Sequence, residues 1–198
     1  MEAFASGLIL GFALIGPIGA QNLFVINQGL RTGFPSVLVA IAAAGICDSL
    51  LIALGAGGSA AILAGAPRLR EVLIVFGVAF LVVLGMRALL TRPDDPNVEG
   101  ESKWSGIVAR SVGVSLLNPH AILDTVGVIG GAIAAQQAAD QLSFATGAVS
   151  ASWLWFLFLG VGAAAMQARL TLATRLWIQR LSGVLMLFFA ALLARELF

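Results

Sequence analysis

Apolar residues in this chain come in long unbroken runs, not in the short alternations that mark half-buried strands or one-sided soluble helices. Six runs approach the roughly 20 residues a helix needs to cross a hydrocarbon core: residues 4–25, 37–54, 72–90, 106–129, 142–166 and 176–193. Each is bounded by charge, proline or Asn/Gln clusters. The pattern predicts an all-α integral membrane protein of six transmembrane helices.

Composition agrees with the pattern. Hydrophobic residues make up 60% of the 198 positions and charged ones 11%, and the mean hydropathy is +1.01. A soluble fold needs a polar skin that so few polar residues cannot cover, whereas lipid accepts an apolar exterior. Met1-Glu2-Ala3 carries no basic n-region and the first apolar run continues past Gln21, so the first segment reads as a retained span and not a cleaved signal. A net charge of +1 leaves no footprint for nucleic acid. The lone cysteine, Cys47, allows no disulfide framework and reads as a small buried hydrophobe.

The connections are short except for a polar linker at residues 91–105, opening TRPDDPNVEGESKW, whose composition cannot span a membrane. It divides the chain into residues 1–90 and 106–198, each with three spans. An offset of 102 residues superposes Pro17 on Pro119 and Asn22 on Asp124. With three spans per half, the second copy enters the membrane from the opposite side, so the expected architecture is two inverted three-helix repeats with broken helices one and four. Counting Lys and Arg by side puts Arg31, Arg87, Arg92, Lys103, Arg110, Arg169, Arg175 and Arg180 against Arg68, Arg70 and Arg195. By the positive-inside rule the larger set is cytoplasmic and both termini are extracytoplasmic.

The candidate chemistry lies within the spans. In Gly16-Pro17-Ile18-Gly19-Ala20-Gln21-Asn22 the proline removes a helical donor and the glycines at positions 16 and 19 permit close approach, so Gly16, Pro17 and Gly19 predict a break. Backbone freed by a break is tolerated at membrane depth only inside protein or beside a cavity, where Gln21 and Asn22 add amide donors and acceptors. Asn118 and Pro119 repeat this logic in the fourth span, with Asp124 following in apolar surroundings. An aspartate at mid-span costs roughly 2.5–3.5 kcal/mol to insert, which makes it a functional candidate by default. Asp48 is a second acid, in the second span. With no lysine in any span, the two carboxylates call for a proton, a substrate cation or an interior arginine. His120, the one histidine, reads equally as a proton relay or as a polar residue beside the break. No second His or Cys lies near it, and no metal or cofactor is expected.

Small-residue spacings at Gly7 and Gly11, and at Gly127 and Gly131, read as helix-contact faces, within one protomer or between the protomers of a homodimer. Trp153, Trp155 and Phe156 to Phe158 read as lipid-facing or interfacial. No P-loop, Gly-x-Ser-x-Gly or His-Glu-x-x-His motif is present. The chain reads as no enzyme and no ATP-driven pump, so work on a solute must draw on gradients.

Taken together, the segment 16–31, Cys47-Asp48 and the segment 117–125 (LNPHAILDT) resemble the LysE superfamily of amino-acid exporters, on its LysE/ArgO branch, across nearly the whole chain. The resemblance implies export of lysine or arginine across the bacterial inner membrane, and the two intramembrane acids point to exchange of the transported cation for protons. The matched substrate-binding positions are Gln21, Asn22, Asp48, Asn118 and Asp124. Ala20 stands where the family often has proline, and Ala121-Ile122 where it often has an aromatic, which leaves room for a different substrate. Two alternatives stay open on the residues alone: export of another small metabolite, a neutral amino acid or a metal ion, and a non-transporting scaffold whose buried acids pair with partner helices.

Overall fold

The computed structural model describes residues 1–17, 19–58, 67–90, 103–167, 169 and 171–195. Every regular element among them is helical. In order they are α1 (Glu2–Ile15), α2 (Ala20–Thr32), α3 (Ser36–Ala56), α4 (Pro67–Leu90), α5 (Trp104–Leu116), α6 (Pro119–Ile122), a π-helix (Leu123–Ile129), α7 (Gly130–Ala134), α8 (Ala138–Gln167) and α9 (Leu172–Ala194). Most of the linker, including Arg92, falls outside the described residues.

Three helical stretches are long and apolar enough to cross a membrane: Ser36–Ala56, Ala138–Gln167 and Leu176–Ala194. The bent pair α1–α2 adds a fourth, while Ile74–Leu90 and Leu123–Ala134 are apolar but shorter. Large exposed side chains such as Ile9, Leu50, Phe76, Leu154, Phe158 and Phe188 face outward from these helices. An exterior of this kind is stable against lipid and not against water.

The first span does break where its proline and glycines predict. Helix α1 ends at Ile15, α2 begins at Ala20, and their axes differ by 81°. The predicted end at residue 25 is too early, because α2 continues to Thr32. Asn27 and Gln28, which looked like a boundary, are buried at 8% and 7% exposure. Polar residues bound a span only when they face water, and these face protein. The fourth span is also interrupted, at Leu117 and Asn118, and then resumes with Pro119 at the first helical position. Pro is suited to that position, since the amide it lacks would have no partner there. The following π-helix was not foreseen.

Packing is dominated by α1 against α8 and by α4 against α9, with α8 also covering α2 and α3, and α3 lying against α5 and the π-helix. Glycines set the closest approaches. A side chain at Gly7 would collide with the backbone of Phe144, and one at Gly11 with Ala151 and Ala148, so this pair is a contact face inside the protomer. Gly127 and Gly131 meet nothing within 4 Å; the residue that makes the contact is Gly130, against Gly55. The aromatic cluster on α8 is also more internal than its composition suggested. Phe156 is 1% exposed, and Trp153 lies on Gly45 and donates through Nε1 to Ser49 Oγ at 3.1 Å. Phe158 remains lipid-exposed. Cys47 is buried, as its apolar setting predicts.

Candidate functional site

The break between α1 and α2 leaves carbonyls at the end of α1 without helical donors, a costly state away from water. Asn22 resolves it from the next helix. Its Nδ2 donates to Ile15 O at 3.0 Å and to Pro17 O at 2.8 Å, and the residue is 3% exposed. Both amide hydrogens are thus engaged by backbone, which holds the bend in one geometry.

One residue earlier, Gln21 points to a different partner. Its Nε2 donates to Asp48 Oδ1 at 3.0 Å, while Ser152 Oγ on α8 donates to Asp48 Oδ2 at 2.8 Å. Asp48 is 4% exposed and Ser152 is fully buried. The buried carboxylate is therefore held from two sides by neutral donors, an amide from α2 and a hydroxyl from α8. Ser152 carried no signal in the sequence beyond being a small polar residue in an apolar helix. Its relation to Asp48, 104 positions away, exists only in three dimensions.

A cavity of about 300 Å³ opens between the two broken helices. Gln21, Asn22, Asp48, Asn118 and Asp124, the five polar positions singled out from the sequence, all border it, as do Pro17 and Gly19. Asp124 comes from the π-helix and Thr125 beside it adds a hydroxyl. Among the described residues no side chain donates a hydrogen bond to Asp124, in contrast to Asp48. Leu81 of α4 and Phe189, Leu192 and Leu193 of α9 form apolar wall. Pro119 and His120 lie in α6, at the edge of the break; of their side chains nothing is described. Gly16 ends α1 with its backbone amide on Phe12 O.

Local backbone explains why these groups meet. Gly19 caps α2 in an extended conformation, so the first turn of α2, with its unpaired amides, faces the cavity. A π-helix widens the backbone turn and occurs frequently at functional sites, and here it carries Asp124 and Thr125. Among the described residues no group of three or more His, Cys, Asp or Glu side chains could hold a metal ion.

An apolar helical body interrupted at two prolines, with a cavity that gathers polar side chains where the helices break, is the construction of a membrane transport protein. The chain belongs to the LysE type translocators, whose family model matches residues 12–197. It is 38% identical to the arginine exporter protein ArgO of Enterobacter sp. (strain 638) over 203 aligned positions, covering 99% of this chain and 95% of that protein. The ArgO proteins of Salmonella schwarzengrund and Klebsiella pneumoniae are each 37% identical, with 98% of this chain and 93% of theirs covered. No solved structure matches.

Proposed function

We propose that the protein is a secondary exporter of basic amino acids, arginine first, in the bacterial inner membrane, with export coupled to protons. The observation that carries this reading is the pair of aspartates, Asp48 and Asp124, on the wall of one cavity between two broken helices. Neither has a lysine within the spans to neutralise it, and an intramembrane acid without a fixed cation is suited to exchange a transported cation for protons. The identity to ArgO proteins over nearly the full chain points to the same substrate class.

Roles follow from the hydrogen bonds. Asp124 receives the guanidinium or ammonium group of the substrate, since its carboxylate has no donor among the described residues. Asp48, steadied by Gln21 and Ser152, is the second acid, for the cation or the coupling proton. The amino terminus of α2 offers unpaired amides and partial positive charge to the α-carboxylate, with Asn118 as a further polar contact. Asn22 keeps the break in shape through its amide NH2 and turns its remaining oxygen to the substrate. His120, in α6 at the second break, is proposed as a proton relay.

Six spans in two inverted repeats remain the architecture we infer. In its support, span one (α1) packs on span five (α8), and span four (α5 and the π-helix) packs on span two (α3), the mirrored pairing that an inverted repeat demands. The eight-to-three distribution of basic residues supports extracytoplasmic termini. The small, open surface at Gly127 and Gly131 is where a homodimer would pair most closely.

Counterflow of labelled arginine and lysine in proteoliposomes, beside leucine and glutamine, tests the reading with wild type and Asp124→Asn. Saturable basic-amino-acid flux that the variant loses is the expected result. Flux of neutral solutes alone, or flux unaffected by the substitution, refutes it.

A further inference from the structure

A hydroxyl buried in an apolar bundle finds a partner, because an unpaired one is costly away from water. Four of the five buried hydroxyls among the described residues obey this. Ser111 donates to Ala40 O at 3.4 Å, Ser115 to Ser111 O at 2.9 Å, Ser152 to Asp48 Oδ2 at 2.8 Å and Ser182 to Ile178 O at 2.9 Å. The fifth, Thr125, is 5% exposed and makes no hydrogen bond among the described residues. Its oxygen is not one of the fully enclosed atoms, among which Trp155 Nε1 alone goes unpaired in the described residues. It opens on the main cavity, whose wall Thr125 forms together with Asp124.

The π-helix accounts for the missing bond. In the α-helices of this protein a hydroxyl settles on the carbonyl four residues back, as Thr32 does on Gln28, Ser49 on Gly45 and Ser115 on Ser111, which is a common habit of Ser and Thr inside helices. The same step from Thr125 leads to Ala121 O. Thr125, however, lies in the π-helix Leu123–Ile129, whose ladder closes five residues back, as Gly130 N–H does on Thr125 O. The wider turn offsets side chain from carbonyl, and no bond to Ala121 O forms. One stretch of backbone thus presents Asp124 to the cavity and leaves the hydroxyl beside it without a partner.

We propose that Thr125 is the guanidinium-selecting residue of the site: its hydroxyl oxygen accepts an N–H of the substrate's guanidinium while the Asp124 carboxylate takes the charged fork. The proposal rests on the transport reading above and adds to it a reason for arginine to bind more tightly than lysine. A guanidinium presents five donors in a fixed plane, so a carboxylate that takes two of them leaves others to be met. An ammonium is a compact point charge with three rotatable donors, which a carboxylate and water satisfy. Both oxygens of Asp48 already accept a hydrogen bond, and the further acceptor next to Asp124 is the Thr125 oxygen. A site built to meet a donor discriminates against a ligand that lacks it there.

Counterflow of labelled arginine and of labelled lysine in proteoliposomes of wild type, Thr125→Val and Thr125→Ser tests this. Valine keeps the shape and removes the oxygen, whereas serine keeps the oxygen. Wild type should show a lower KM for arginine than for lysine. Thr125→Val should raise KM for arginine about tenfold with Vmax little changed and leave KM for lysine unmoved, and Thr125→Ser should stay close to wild type. Because the hydroxyl has no partner in the protein, Thr125→Val should not lower the unfolding midpoint measured without substrate. Equal changes in KM for arginine and lysine assign the hydroxyl to a part the two substrates share, such as the α-carboxylate, and overturn the proposal. It is overturned as well by no change for either substrate, by a Thr125→Ser variant as impaired as Thr125→Val, or by a lowered midpoint. If wild type moves neither compound, the transport reading fails separately, and calorimetry of arginine and lysine binding to the purified protein decides the role of Thr125. Arginine binding weakened in Thr125→Val and kept in Thr125→Ser, with lysine binding unchanged, supports it; no arginine binding to wild type, or equal binding in Thr125→Val, overturns it.

Discussion

Gln21 Nε2 lies 3.0 Å from Asp48 Oδ1, so the first turn after the break in span one is tied to the acid of span two by a neutral amide. That contact, with the bond from Ser152, satisfies a buried carboxylate through neutral donors, and no basic side chain among the described residues pairs with it. A group held in this way keeps its position when its charge is neutralised, because amide and hydroxyl donors remain after the ion is gone. This is the property required of a carboxylate that exchanges cations.

Replacing Asp48 with Asn keeps shape and one acceptor, so thermal stability should fall by no more than about 1 kcal/mol. Arginine flux should nevertheless drop by tenfold or more. Parallel measurement of the unfolding midpoint and of counterflow separates the two effects.

Ser152→Ala removes one of the two donors to Asp48 in a fully buried position. The expected cost is about 1–3 kcal/mol, with a larger KM for arginine than in wild type. Ser152→Thr keeps the hydroxyl and should retain more activity than Ser152→Ala, read from initial rates.

Asn22→Ala and Asn22→Asp both abolish donation to the carbonyls of Ile15 and Pro17. Asp is nearly isosteric with Asn but has no donor when ionised, so it should rescue nothing. We expect a loss of about 1–3 kcal/mol in each variant, seen as a lower unfolding midpoint, together with impaired flux because the bend is no longer held.

Gly130→Ala places a methyl group against Gly55 backbone, with its nearest atom 2.6 Å away. Overpacking of this kind costs about 1–3 kcal/mol. Gly131→Ala, next in the chain but with nothing within 4 Å, should be neutral or slightly stabilising through helix propensity. Gly131→Leu should leave the protomer folded and, if that face pairs in a homodimer, shift the protein to monomer in cross-linking or light scattering.

Much of this protein is legible in one dimension because lipid imposes strong rules. Apolar runs of span length place helices in each of the six predicted regions, although the ends shift, as where Asn27 and Gln28 continue α2. Proline with glycines marked the first break and Asn118-Pro119 the second, and the expense of intramembrane acids drew attention to Asp48 and Asp124 before any fold was known. All five polar candidates border one cavity, since polar side chains in a chain this apolar have few places to go other than inside.

Tertiary structure decided which partner each polar group found. Gln21 and Asn22 are adjacent and chemically alike, yet one meets a carboxylate across the bundle and the other two carbonyls of its own broken helix. Ser152 and Trp153 acquire roles from residues about a hundred positions earlier, and Arg110 joins Arg31 and Arg87 only because α2, α4 and α5 converge. The π-helix has no sequence signature apart from the proline before it. The physical reason is that insertion is governed by transfer free energy summed along the chain, a local quantity, whereas hydrogen-bond partners depend on helix rotation and approach, which the packing of glycines such as Gly55 and Gly130 determines.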